Sequence, residues 1–141
     1  MTSQTDKMRQ TLDQRRASHA WEAVQGAKKK TKPHENQDPK KFGGQAKKLP
    51  TRIMAAGLGQ ALAFLKAKGY APGLLAELND WVAKRIPPAQ GETNVLLERI
   101  VKGNSDFLRR ATDEVLAYLV WLNRFAEAEG LTEGLTEGDE S

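Results

Sequence analysis

Thirteen consecutive residues without a charged side chain, residues 53–65, constrain the fold of this chain more than any other segment. The run is shorter than the roughly 18–20 apolar residues of a membrane-spanning helix, so it does not predict a transmembrane protein. Its small residues, among them Gly57, Gly59 and Ala61, would allow neighbouring helices to approach closely. A helix that is apolar on most sides is typical of the interior of a bundle, so we place this segment at the centre of the fold.

Helical periodicity extends through most of the chain, whereas the period-two alternation of strands is nearly absent. Proline and glycine punctuation supplies the breaks between helices. Helices are predicted over about residues 6–26, over residues 45–68 (or 50–68, with Pro50 in the first turn), and over about residues 72–85, 93–102 and 105–129. The predicted fold is therefore all-α, a compact bundle of about five helices that forms a single domain over residues 1–130.

Charge is distributed unevenly along the sequence. Residues 1–52 contain thirteen Lys or Arg against five Asp or Glu, whereas residues 127–141 contain six acidic residues and no basic one. Residues 28–45, which combine lysines with two prolines and two glycines, are predicted to form a mobile basic loop. Residues 131–141 are predicted to be a disordered acidic tail. Such asymmetry is typical of proteins that contact nucleic acid or another polyanion.

No catalytic constellation can be assembled from the sequence. The absence of cysteine excludes disulfides and a thiol nucleophile, and no serine lies in a nucleophile-elbow motif. No second histidine lies three or four residues from His19, which we interpret as a surface or edge residue, and His34 lies in the basic loop. The glycines at 57 and 59 echo a dinucleotide motif but lack its third glycine and its strand. We predict a protein that is not an enzyme, with no catalytic residue, metal site or cofactor.

Basic residues on or beside helices are the candidates for contact with RNA, because an ordered helix can hold a cation in a fixed position. Most aromatic residues fall on apolar helix faces, so contact with the RNA backbone is predicted rather than base stacking. Two structural alternatives stay open: Arg16, on the buried arc of its helix, could pair with a carboxylate, and Arg109 and Arg110 could pair with Asp106. The predicted RNA-binding residues are Arg16, Lys47, Lys48, Arg52, Arg109, Arg110 and Arg124.

Three segments carry a resemblance to a known family. They are RRASHAW at residues 15–21, KKLPTRI at 47–53 followed by GLGQALAFL at 57–65, and TDEVLAYLVWLNR at 112–124. In their order and spacing, over about residues 9–126, these segments resemble the small helical subunit of the type III-B CRISPR effector, the Cmr ribonucleoprotein complex. The lysine-rich loop is a departure from the family pattern, so no fixed contact is assigned there.

The resemblance implies a non-catalytic bundle that stacks in several copies along guide RNA and target RNA, in antiviral defence. Its partners would be both RNAs, the backbone and other subunits of the Cmr complex, and neighbouring copies of itself, with no membrane. Because residues 1–10 lack an apolar signal core, we expect a cytoplasmic protein. The alternative is a helical protein–protein adaptor whose basic loop docks an acidic partner, with no RNA role. A small helical hydrolase would need clustered polar residues on inner helix faces, which the sequence does not show.

Overall fold

The computed structural model describes residues 9–29 and 38–132. Within these ranges it contains helices and no strand, which confirms the all-α fold. The six helices are α1 (Leu12–Lys29), α2 (Pro39–Ala56), α3 (Leu58–Lys68), α4 (Pro72–Arg85), α5 (Leu96–Lys102) and α6 (Ser105–Ala128). The predicted acidic tail lies almost entirely outside the described residues, as do residues 30–37 of the predicted loop.

The last helix, α6, forms the centre of the bundle. It packs against α1 along most of its length, and also against α2 and α4. Three large side chains of α6, Tyr118, Leu119 and Leu122, are completely buried. The central position predicted for residues 53–65 is therefore wrong, because five of these thirteen residues, 54–57 and 60, are exposed. The α3 part of the segment packs against α2, α4 and α5. No helix in the described part of the chain is both long enough and apolar enough to cross a membrane.

The uncharged run is divided between two helices at Gly57. This residue has φ +90°, a conformation that glycine adopts at little cost, and its N–H donates to the carbonyl oxygen of Ile53 at 2.8 Å. The break turns the chain, so Ile53 and Leu58 are buried on either side of it. Met54, three residues before the break, is 75% exposed although it lies within the uncharged run. The predicted single helix over residues 45–68 is thus two helices, and Pro50 lies inside the first of them.

The second helix also begins earlier than predicted. Asp38 acts as its N-cap by accepting a hydrogen bond from the backbone N–H of Lys40 at 2.9 Å, and Pro39 occupies the first helical position. Phe42, Gly43 and the two residues after them are buried. Residues 39–45 are therefore helical and packed rather than part of a mobile loop. Pro39 is one of the prolines that indicated a loop, but a proline that follows an N-capping aspartate is also a good helix start.

Two further helices begin later than predicted: α1 begins at Leu12 rather than at about residue 6, and α5 begins at Leu96 rather than at about residue 93. Other boundaries agree closely with the prediction. The helix predicted to follow Ala71 spans Pro72–Arg85, and Gly69, with φ +65°, ends α3 in the left-handed conformation. The first helix continues past Gly26 to Lys29, because Gly26 is buried against its neighbours inside the helix. The N-cap of α6 is Asn104, and its side chain accepts a hydrogen bond from the N–H of Phe107.

Candidate nucleic-acid interface

A buried carboxylate, Glu114, joins three helices of the bundle. It lies on α6 with 4% of its surface exposed. The guanidinium of Arg16 on α1 donates two hydrogen bonds to it, from Nε at 2.6 Å and from Nη2 at 3.0 Å. The indole Nε1 of Trp81 on α4 donates a third at 3.0 Å, and Arg85 Nε lies 3.3 Å from Glu114 Oε1. This bidentate, charge-assisted arrangement holds α1 and α4 onto the central helix.

Arg16 is therefore committed to the protein itself. Besides Glu114, its Nη1 reaches Asp13 Oδ1 at 3.3 Å, and its side chain is 18% exposed. The hydrogen bonds to Glu114 raise the pKa of Arg16 above its ordinary value, despite the opposing effect of burial. Of the two roles that the sequence left open for Arg16, the structure shows carboxylate pairing.

The pairing of Glu114 predicts a specific pH dependence of stability. Burial alone raises the pKa of Glu114, but the hydrogen bonds from Arg16 and Trp81 outweigh it, so the pKa lies below its ordinary value. A carboxyl group of this kind stabilises the fold above its unfolded pKa of about 4.3, and the contribution disappears as the pH falls through the folded pKa. In urea denaturation between pH 7 and pH 3, we expect the wild type to lose more stability than Glu114→Gln. Parallel curves would contradict this assignment.

Three cations follow one face of α2. Lys41, Lys48 and Arg52 are spaced by seven and four residues, which places them in one row along the helix. Lys41 Nζ lies 5.0 Å from the ring centroid of Tyr70. The guanidinium of Arg52 lies 4.5 Å from the ring centroid of Phe64 on α3. We call these three residues the α2 basic face. The sequence did not reveal this pairing of cations with aromatic rings, because Phe64 and Tyr70 are twelve or more residues from their partners.

Lys48 and Arg52 differ in how freely they can reach a ligand. Arg52 Nη1 donates to Gln45 Oε1 at 2.6 Å, and burial lowers the pKa of Arg52 below its ordinary value. Its guanidinium is thus partly used within α2. Among the described residues, no carboxylate lies within ion-pair distance of Lys48 or of its neighbour Lys47, which is fully exposed.

The α6 candidates form a separate group. Arg109 pairs with Asp106 at 2.7 Å and Arg124 pairs with Glu127 at 3.3 Å, both on the exposed surface of the helix. Such exposed pairs contribute little to stability and exchange readily with other anions. Arg110 is exposed and has no ion pair among the described residues, so only Arg109 of the two forms the pair with Asp106 that the sequence suggested. Arg110 and Arg124 lie about 21 Å apart along the helix axis, given its rise of about 1.5 Å per residue.

A second polar cluster was missed in the sequence. His19 lies at the edge of the core, with Nδ1 2.7 Å from Tyr118 Oη and Nε2 2.7 Å from Asp80 Oδ2. Trp81 and Tyr118 stack beside it with ring centroids 5.7 Å apart. Polar residues do therefore cluster on inner helix faces, contrary to the sequence-based expectation. These polar residues come from α1, α4 and α6. Two local features of the sequence could have indicated the clusters: Glu114 within an apolar stripe, and Glu77 and Asp80 three residues apart on α4.

Comparison with models of protein families gives one match that spans the described helices. A family model described as CRISPR-associated protein (Cas_Cmr5) matches residues 12–129, a range that starts with α1 and ends one residue after α6. The resemblance drawn from three sequence segments is thereby confirmed. Because the match covers most of the 141 residues, the chain belongs to the Cas_Cmr5 family and is a small subunit of the type III-B CRISPR Cmr complex.

Proposed function

We propose that this chain contacts the backbones of guide RNA and target RNA inside the Cmr complex, as a non-catalytic subunit that stacks in several copies along the RNA path in the cytoplasm. Its place as a Cmr subunit in CRISPR defence follows from the family, which is that of a structural subunit. The observation that carries the RNA contact is the α2 basic face, three cations held in one row on an ordered helix.

The chemistry of this face suits phosphate rather than base recognition. Lysine and arginine neutralise phosphates and release condensed counterions, a contribution that does not depend on sequence. The rings of Phe64 and Tyr70 lie under Arg52 and Lys41, so these rings are partly covered by the protein's own cations and support rather than read a ligand. Backbone contact along the guide and the target would let one surface serve any guide sequence.

We rank the candidate RNA-binding residues by the partners that they already have within the protein. Lys47, Lys48 and Arg110 rank first because no described carboxylate pairs with them. Arg109 and Arg124 follow, since their exposed partners can be exchanged for phosphate. Arg52 comes next, and Arg16 comes last because Glu114 holds its guanidinium.

Stacking of copies and docking of other subunits would use other surfaces. Three apolar side chains stand largely exposed on different helices: Met54 on α2, Val101 on α5 and Val120 on α6. Burial of such side chains against a neighbouring protein would be favourable, at roughly 25 cal/mol per Å² removed from water. These positions support contacts with neighbouring subunits of the assembly that leave the α2 basic face open to RNA.

The double variant Lys47→Ala/Lys48→Ala tests the RNA contact in the assembled complex. Two lost phosphate contacts should flatten the slope of log affinity against log salt by about 0.7 each, and should weaken binding on the order of tenfold at physiological salt. The loss should be the same for unrelated guide and target sequences. The measurement is RNA affinity at several salt concentrations, with complexes assembled from wild-type or variant subunit.

A matched control removes two lysines elsewhere. Lys66→Ala/Lys102→Ala lowers the charge by the same amount, from exposed positions on α3 and α5, and should leave the salt slope unchanged. If both double variants bind RNA like the wild type, Lys47 and Lys48 do not contact RNA, and the contact proposed for these two highest-ranked residues of α2 is wrong. Loss of subunit association that persists after RNase treatment, with RNA affinity unchanged, would instead favour the protein–protein adaptor.

A further inference from the structure

A recess of about 510 Å³ opens between α1 and α4, away from the α2 basic face. Three of the residues that line it have metal-ligating atoms close together: His19 from α1, and Glu77 and Asp80 from α4. The ligating atoms of these three residues all lie within 4.8 Å of one another. None of the residues proposed above for contact with RNA lines this recess.

The distances between the three residues suit a single cation after small side-chain movements. His19 Nε2 lies 2.7 Å from Asp80 Oδ2 and 4.0 Å from Glu77 Oε1. Nitrogen and oxygen ligands bind Zn²⁺ at about 2.0–2.2 Å, so two ligands of one ion are separated by about 3–4 Å. The Asp80 carboxylate would therefore move slightly away from the imidazole, and the Glu77 carboxylate would move slightly towards it. Small rotations of the two side chains are enough for both movements.

We propose that His19, Glu77 and Asp80 bind a divalent first-row transition cation of the Zn²⁺ type, which fastens α1 to α4. An imidazole with two carboxylates suits zinc and its neighbours, whereas Mg²⁺ and Ca²⁺ prefer sites built from oxygen ligands alone. The open recess leaves room for water to complete the coordination shell. The site differs from a cluster of surface acids because its nitrogen ligand comes from a second helix and is fixed in orientation.

That orientation is set by Tyr118 of α6. Its hydroxyl lies 2.7 Å from His19 Nδ1, and the tyrosine side chain is fully buried. The rings of Trp81 and Tyr118 contact the imidazole, with centroids 5.3 and 5.4 Å from that of His19. The contact at Nδ1 fixes the ring plane, so Nε2 is directed at the carboxylates. A metal ion at Nε2 requires the ring proton on Nδ1, which then donates to the oxygen of Tyr118, as metal-ligating histidines donate their other N–H.

Three basic residues line the recess, Arg15, Lys84 and Arg85, and Lys84 contacts one of the proposed ligands. Its Nζ lies 2.8 Å from Asp80 Oδ2, the same oxygen that contacts His19. Because the Lys84 side chain is 62% exposed, its ammonium can move into solvent when a metal ion takes its place. Glu22 also lines the recess, and its charge is opposite to that of Arg15. The structure therefore assigns Lys84 the role of weakening the affinity of the site.

Zinc titration of the full chain without RNA, by calorimetry and by thermal unfolding, tests the site. The wild type should bind one equivalent and unfold at a higher temperature as Zn²⁺ increases, whereas Mg²⁺ should have little effect. His19→Gln should abolish both responses. His34→Gln is the matched control, because it removes the one other histidine of the sequence and should leave both responses intact. Asp80→Asn changes a largely exposed side chain and should weaken binding at least tenfold without unfolding the protein.

Lys84→Met gives the test in the opposite direction. It removes the competing ammonium and keeps the length of the side chain, so zinc affinity should increase several-fold. The proposal is overturned if neither the wild type nor Lys84→Met binds zinc at micromolar concentration. It is equally overturned if His19→Gln binds as the wild type does, or if His34→Gln removes the binding. Because the chain is tested without RNA, each outcome leaves the RNA proposal unaffected.

Discussion

Glu114→Leu is expected to lower the free energy of unfolding by about 3 kcal/mol, because removal of one partner of a buried ion pair leaves the other uncompensated. The lost carboxylate accepts hydrogen bonds from Arg16 and Trp81, and it lies 3.3 Å from Arg85 Nε. Leucine nearly preserves the volume, so the loss reports the charge and hydrogen bonds rather than a cavity. Urea denaturation followed by circular dichroism measures it.

Glu127→Leu is the matched control for this variant. It replaces the same residue type on the same helix, where the carboxylate pairs with Arg124 in an exposed position. Exposed pairs contribute about 0–1 kcal/mol, so the control should change stability little. Similar losses for the two variants would show that Glu114 does not hold the helices together. The double variant Arg16→Met/Glu114→Leu should recover part of the loss, because both members of the pair are then apolar.

Gly43→Ala is expected to lower the free energy of unfolding by about 2 kcal/mol, because a methyl group does not fit between α2 and the turn after α6. A Cβ atom at Gly43 would lie 2.7 Å from the carbonyl oxygen of Leu131 and 2.8 Å from its Cβ. Leu131 is itself buried and donates its N–H to Ala126, so this turn cannot move freely. The midpoint of thermal or urea unfolding measures the effect.

Gly59→Ala controls for the change of helix propensity. Gly59 also lies in a helix, but a Cβ there would meet only Ile100 Cγ2 at 3.5 Å, an ordinary contact. Alanine should leave stability unchanged or raise it by about 0.5 kcal/mol, because alanine is the better helix former. A stable Gly43→Ala would mean that α2 and the turn at Leu131 do not approach as closely as the structure shows.

Local patterns predicted helix type far better than helix boundaries. The break at Gly57 and the early start at Pro39 were both missed, since glycine and proline each have more than one structural role. A glycine within an apolar run can pack in a helix or adopt a positive φ and end it. Which role applies depends on whether the side chains that follow the glycine can be buried. Leu58 and Leu62 are buried against neighbouring helices, and this requires the turn at Gly57.

The candidate sites also differ in how far local sequence patterns could predict them. Lys41, Lys48 and Arg52 could be placed on one face of a helix from their spacing once the helix start was known, because side chains four and seven residues apart share a face. The cluster of His19, Asp80 and Glu114 could not be found this way. His19 lies 61 positions from its partner Asp80, and Glu114 lies 98 positions from its partner Arg16, so only the packing of α1 and α4 on α6 brings each pair within hydrogen-bond distance.

By itself, the sequence determined that this chain is helical, that its basic residues concentrate towards one end, and that its motifs match the Cmr small subunit. Periodicity, charge and motif spacing are local properties that need no knowledge of distant contacts. Only the tertiary structure decided that α6 forms the centre, that Arg16 is bound to Glu114, and that His19 faces two carboxylates. These features arise from contacts between helices remote in sequence, where burial makes an unpaired charge costly and so selects which side chains pair.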